Sequence, residues 1–162
     1  MNITHVRIDD RLIHGQIIVS WLSYANAKNI LIVDDDLVKD SVQQMILKLA
    51  VPSGVSFIVK SIADAKSFIE NEDKGNTLLI IRNPKNALKL AESGWQPSEI
   101  NVGNISNYKG EEQRFNILPN FNPNKTDIND LKALIEKGIQ LDLRAVPDEK
   151  NKNVIQLIDE FK

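Results

Sequence analysis

Short runs of isoleucine, leucine and valine alternate along this chain with longer segments whose apolar residues recur every three or four positions. The first kind predicts β-strands and the second amphipathic helices. Strands are expected over residues 3–8, 29–33, 55–59, 77–81, 100–103 and 139–146, with a further short one near 115–118. Helices are expected over residues 16–25, 37–50, 62–70, 84–92, 127–137 and 154–161. Within 37–50, Val38, Val42, Met45, Ile46 and Leu49 fall on one helical stripe, which the spacing predicts to be buried. Pro84 fits the first position of its helix and Gly94 its end. Thr126 fits the N-cap of the 127–137 helix and Gly138 its close.

Several strand runs, such as Asn29-Ile30-Leu31-Ile32-Val33, are apolar on both faces. A strand of that kind belongs in a parallel sheet covered by helices on both sides. The repeated β-α order has the same consequence for topology. The expected fold is therefore an α/β domain of three αβα layers with an open, mostly parallel sheet. It spans residues 1–162, since neither a linker composition nor an internal repeat divides the chain.

Composition narrows the possibilities. Twenty basic against 22 acidic side chains leave a net charge of −2, which argues against a general nucleic-acid binder. The absence of cysteine removes disulfides and thiolate chemistry and fits a reducing compartment. No apolar run approaches the ~18 residues of a membrane span, and the N-terminal residues lack the layout of a signal peptide. A cytoplasmic location is expected. No Gly-rich nucleotide loop is present.

In an open parallel sheet, ligands gather beyond the carboxyl ends of the strands. The residues there include Asp9, Asp10, Arg11 and His14 after the first strand and Asp34, Asp35 and Asp36 after the second. Arg82 and Asn83 follow the fourth strand, and Gly103 and Asn104 end the fifth. Of these loops, Asp9-Asp10-Arg11-Leu12-Ile13-His14-Gly15-Gln16 alone combines a histidine, an arginine and the start of a helix. Free N–H groups at that start, around Gly15 and Gln16, favour an anion beside the imidazole. Arg11 can fork onto phosphate oxygens, and Gly15 is expected to leave room for them. A neutral imidazole is a competent nucleophile near neutral pH. Asp10 or Asp34 is expected to orient Arg11 or His14, and Arg82 to reach a phosphate or a partner's acid.

The segment Arg7-Ile8-Asp9-Asp10-Arg11-Leu12-Ile13-His14-Gly15-Gln16 resembles the phosphorylation-site motif of phosphotransferase-system IIB subunits of the mannose/fructose/sorbose family. Asn83-Pro84, Ile100-Asn101-Val102-Gly103 and Lys109-Gly110 resemble further landmarks of that family in the same order. The resemblance implies a sugar phosphotransferase in which His14, through Nδ1, accepts a phosphoryl group from a IIA phosphocarrier and passes it to a sugar. The membrane IIC and IID subunits would hold that sugar and bring this chain to the membrane. Arg11 would contact the phosphate, with no metal and no cofactor required. Where the family's common form has two glycines after the Asn-Val pair, this chain has Gly103-Asn104. That asparagine resembles the N-acetylgalactosamine branch, while the N-terminal segment resembles sorbose proteins more, so the sugar stays open. The oligomeric state also stays open, a homo-oligomer included.

The competing reading is a regulatory phosphoacceptor, in which Asp34-Asp35-Asp36 imitates the acidic pocket of a receiver module. Three acids opening a helix are more often a cap and a complement to its dipole. His5, Trp21 and Trp95 read as strand or packing residues.

Overall fold

The computed structural model describes residues 1–106 and 113–161; the landmark Lys109-Gly110 lies outside the described residues. In chain order the elements are β1 (Asn2–Asp9), α1 (Gly15–Tyr24), β2 (Asn29–Val33), a 3₁₀ turn (Leu37–Lys39), α2 (Ser41–Leu49) and β3 (Ser56–Lys60). They continue with α3 (Ile62–Asn71), β4 (Asn76–Ile81), α4 (Pro84–Glu92) and β5 (Glu99–Asn104). The last are α5 (Lys125–Glu136), β6 (Gln140–Leu143), β7 (Lys152–Asn153) and α6 (Val154–Phe161). The strands form one sheet in the order β3-β2-β4-β1-β5-β6-β7, parallel except for β7.

Alternation along the strands divides the core in two. Val6 and Ile8 of β1, Leu31 and Val33 of β2 and Leu79 and Ile81 of β4 meet α3, α4, α5 and α6 on one face. Ile30, Ile32, Leu78 and Ile80 point the other way, toward α1, α2 and the loop residues Leu12 and Ile13. Each layer is thus set by side-chain parity on strands buried from both sides. The expected three-layer, open, mostly parallel α/β domain is the one observed. Among the described residues no helix is long and apolar enough to cross a membrane.

Four local expectations are corrected. The helix predicted over 37–50 is broken at Asp40, whose carboxylate accepts from the Gln43 N–H at 3.0 Å and starts α2 afresh. Its apolar stripe is not buried: Val42, Met45, Ile46 and Leu49 are 65%, 68%, 54% and 84% exposed. The helix instead turns Leu47 inward, and Gln44 Nε2 donates to the Leu37 carbonyl at 2.8 Å. The α5 N-cap is Asn124, not Thr126, because Asn124 and Asp127 form a reciprocal capping box. No strand forms at 115–118; Phe121, fully buried, bridges to Ile105 and Leu118 instead. The last predicted strand is cut to Gln140–Leu143, and the unforeseen β7 runs back along its end. At α4 the expectation holds: Pro84 opens the helix and Gly94 follows it with φ +103°, and Asn83 supplies the cap.

Candidate functional site

The site grows from the parity of β1. His5, Arg7 and Asp9 share the face toward α1, opposite Val6 and Ile8. Arg7 and Asp9 are both buried, at 2% and 1% exposure. Arg7 donates to Asn101 Oδ1 at 2.6 Å, to the Arg144 carbonyl at 3.2 Å and to Asp9 Oδ2 at 3.2 Å. Burial lowers the Arg7 pKa to about 10, with the Asp9 carboxylate opposing that shift, so the guanidinium stays charged at neutral pH. Trp21 of α1 lies over it, 4.9 Å from its guanidinium carbon to the ring centre. Gly103 supplies the space behind: a Cβ there would stand 2.0 Å from the same carbon.

Asp9 then reaches forward. Its carboxylate accepts from Arg11 Nε at 3.1 Å, from Arg11 Nη2 at 3.1 Å and from the Arg11 backbone N–H at 3.0 Å. Arg11 is therefore held by a two-pronged pairing from a buried anchor, while 28% of its side chain remains exposed. Three residues on, His14 occupies the N-cap of α1 in extended conformation, exposed and without a capping hydrogen bond from its side chain. The loop reaches it through Leu12 at φ +62° and leaves through Gly15 at φ +47°. Leu12 and Ile13 are buried beneath, which pins the loop while His14 faces outward.

Sequence-predicted site residues divide on this geometry. Arg11, His14, Gly15 and Gln16 are brought together at the end of β1, with Gly15 and Gln16 exposed in the first turn of α1. Gly15 has a positive φ, which disfavours any side chain, and a Cβ there would meet nothing within 4 Å, so the space over the loop is open. Asp10 does not orient Arg11 or His14. It accepts from Asn104 Nδ2 at 2.7 Å, from the Ser106 N–H at 2.6 Å and from Ser106 Oγ at 3.1 Å, tying the loop to the end of β5. The departure from two glycines is thereby used: Asn104 supplies a donor to Asp10 that glycine could not.

Asp34 does not reach Arg11 or His14 either. Its carboxylate accepts from the N–H groups of Asp36 and Leu37 and from Arg82 Nε at 2.7 Å. Ile8 of β1 pairs with Ile81 of β4, so Arg82 stands level with Asp9 at the end of the adjacent strand. Asp35 accepts from the Ile62 N–H at 2.8 Å, at the start of α3. Asp34 and Asp35 thus act as caps and ties, as acids at the opening of a helix suggested.

Sequence reasoning missed Asp9 as the residue that holds Arg11. The signal was present in the spacing: Asp9 is two residues from Arg7, on the same face, and Asp10 is not. His5 lies stacked on Trp21, with ring centres 4.6 Å apart, and its Nε2 has no hydrogen-bond partner among the described residues. Trp21 is fully buried and donates Nε1 to the Ala145 carbonyl at 2.9 Å; Trp95 packs against the larger core.

β1 sends its connection across β4 toward β2, whereas β5 leads the other way, to β6. The end of β1 thus lies at a topological switch point, where ligand crevices form in open α/β sheets. An exposed imidazole, an anchored guanidinium and the first amides of a helix are together able to take and stabilise a phosphoryl group.

Residues 3–162 match the model of the phosphotransferase-system sorbose subfamily IIB component. The chain is 32% identical over 160 residues to the fructose-specific EIIB component of Bacillus subtilis (strain 168), covering 98% of this chain and 96% of that one. It is 30% identical over 157 residues to the mannose-specific EIIAB component of Escherichia coli (strain K12), covering 96% of this chain and 48% of that one. The crystal structure of the IIBSor domain of the sorbose permease from Klebsiella pneumoniae superposes with a TM-score of 0.87 at 30% identity, covering 99% of this chain and 98% of that domain.

Proposed function

The chain belongs to the sorbose subfamily of phosphotransferase-system IIB components, phosphotransferases that pass a phosphoryl group toward a sugar, and we propose that His14 is the residue that carries it. The observation that supports this most is an exposed His14 at the start of α1 on the same short loop as a guanidinium that buried Asp9 holds in place. In this reading a IIA phosphocarrier presents its phosphohistidine to the end of β1. The union of EIIA and EIIB in one mannose-specific component supports that partner.

The His14 Nδ1 lone pair forms a new N–P bond while the donor's N–P bond breaks, its electron pair returning to the donor ring. The three phosphoryl oxygens then face Arg11 and the first N–H groups of α1, from Gly15 and Gln16 onward. Positioning and charge are enough for an exchange between two nitrogens. In the second half, a sugar hydroxyl oxygen attacks phosphorus, the His14 N–P bond breaks with its electron pair returning to Nδ1, and the hydroxyl proton is released to water. The sugar is held by the membrane IIC and IID subunits, which bring this cytoplasmic chain to the membrane. Arg82, tied by Asp34 one strand away, adds positive potential at the rim.

The test is phosphoryl uptake from phosphorylated IIA. Wild type should acquire a label that is lost in acid and kept in base, and His14→Ala none. A labelled His14→Ala, or a label lost in base as an aspartyl phosphate on Asp34 would be, overturns the assignment.

A further inference from the structure

A large groove among the described residues lies toward the other end of the sheet from the His14 loop, and its chemistry is one-sided. It measures about 1060 Å³ and is bounded by β6, the end of α5 and the outer side of α6. Ile135, Leu141 and Ile155, all partly exposed, form an aliphatic floor. Exposed Glu99, Asp159 and Glu160 stand around it, and no lysine or arginine is among its described lining residues. Asp142 also lines it, but its charge is already paired with Arg144 at 2.8 Å.

Two further features add to this. Ile135 and Gly138 mark the carboxyl end of α5, and Asp159 and Glu160 stand in the last turn of α6. Helix carboxyl ends carry partial negative charge, so both reinforce the carboxylates and favour a cation. The sheet edge is also open here. β7 pairs with Asp142 and Leu143 only, which leaves Gln140 and Leu141 without a strand on that side. An extended segment could continue the sheet there, its aliphatic side chains on the floor and its basic ones among the acids.

We infer that this groove binds a basic, aliphatic-spaced cytoplasmic segment of the membrane subunits. The charge is the argument: cytoplasmic loops of membrane proteins carry an excess of lysine and arginine, and the groove offers only acids. Position gives the use. Glu99 and Gln140 begin β5 and β6, which run parallel to β1, so the groove opens at the end of the sheet opposite His14. Donor and sugar must take turns at His14. A segment held at the other end tethers the subunit to the membrane and leaves His14 free to be recharged, raising its effective concentration there. This inference rests on the phosphoryl-carrier reading above.

The experiment measures binding of the full chain to membrane vesicles containing the cognate IIC and IID subunits, beside phosphoryl uptake from phosphorylated IIA. The triple variant Glu99→Lys/Asp159→Lys/Glu160→Lys should bind at least roughly tenfold more weakly. Its uptake of phosphoryl groups at His14 should match wild type, which also shows it folded. Sugar phosphorylation should fall at limiting protein and recover when the variant is added in excess. The neutral variant Glu99→Gln/Asp159→Asn/Glu160→Gln should lose less affinity, and added salt should weaken the wild type more than either variant. Unchanged vesicle affinity would overturn the inference, as would a parallel loss of phosphoryl uptake. So would a wild-type dimer that the triple variant dissociates, because the occupant would then be a second copy. Failure of wild type itself to take up phosphate would instead strike the carrier reading.

Discussion

Two buried aspartates stand at the carboxyl ends of β1 and β2, two strands separated by β4, and each holds an arginine, yet they do different work. Asp9 sits between Arg7, as buried as itself, and Arg11, which is 28% exposed. Asp34 holds one arginine, Arg82, 31% exposed, and spends its other oxygen on the amides of Asp36 and Leu37. The Asp9 centre is thus a charged stack running from the interior, against Gly103 and Trp21, out to the surface beside His14. The Asp34 centre is a turn tie with an arginine attached. Proximity of an acid to an arginine therefore does not mark a site. What marks it is an arginine held by a buried anchor and left partly exposed on the short loop that bears His14.

Removing the two anchors separates them most strongly. Asp9→Ala leaves the Arg7 charge buried without its carboxylate and should cost about 3–5 kcal/mol in urea denaturation. Asp34→Ala lets Arg82 rejoin water and strands two amides, and should cost about 1–3 kcal/mol. Equal losses would erase the distinction. Gly103→Ala strikes the same stack from behind, since its Cβ would overlap the Arg7 guanidinium. It should lower stability by at least ~1–3 kcal/mol, as overpacking does, and slow phosphoryl uptake by displacing Arg11 through Asp9.

A titration probes the inner end of the stack. Burial, with the Arg7 and then the Arg144 charge adding to it, lowers the His5 pKa from 6.5 to about 4. Between those values the unfolded chain binds the proton and the fold does not, so stability is full above about 6.5 and falls as pH drops toward 4. His5→Phe should flatten that slope, which for one proton is at most ~1.4 kcal/mol per pH unit. Denaturation midpoints across the window check it, and an unaltered slope would remove His5 from the account. The smallest effects on stability should come from the outer arginines. Arg11→Ala should change it by less than ~1 kcal/mol, because Asp9 keeps Arg7. It should nevertheless slow phosphoryl uptake roughly 10²-fold, as loss of one aligned donor does. Arg82→Ala should slow uptake less than about tenfold. Reversal of that order would make the Asp34 centre the working one.

Much of this was legible in the residues and part was misread for a physical reason. The β-α order, the doubly apolar β2 and the Asn83-Pro84 helix start follow from local periodicity and caps. So does the loop that carries Arg11 and His14. Asp10 was preferred to Asp9 as the orienting group, although strand parity separates them: Asp9 shares the Arg7 face, and Asp10 turns to Asn104 and Ser106. Gly15 also carries a positive φ, a backbone constraint that spacing does not show. The apolar stripe of α2 was read as core. Spacing shows that a helix has an apolar side, but whether anything covers that side depends on what packs across it. Here Leu47 and Gln44 take the inward positions and the stripe is left outside.

Sequence by itself determined the fold class, the family and the loop that bears His14, because those depend on periodicity, turn chemistry and a contiguous motif. Tertiary structure alone decided why Gly103 leaves no space for a side chain and what Asn104 is for. It also decided that an acidic groove opens at the far end of the sheet. Each of these joins residues distant in the chain, such as Arg7 with Asn101 and Asp10 with Asn104, and strand order and register bring them together.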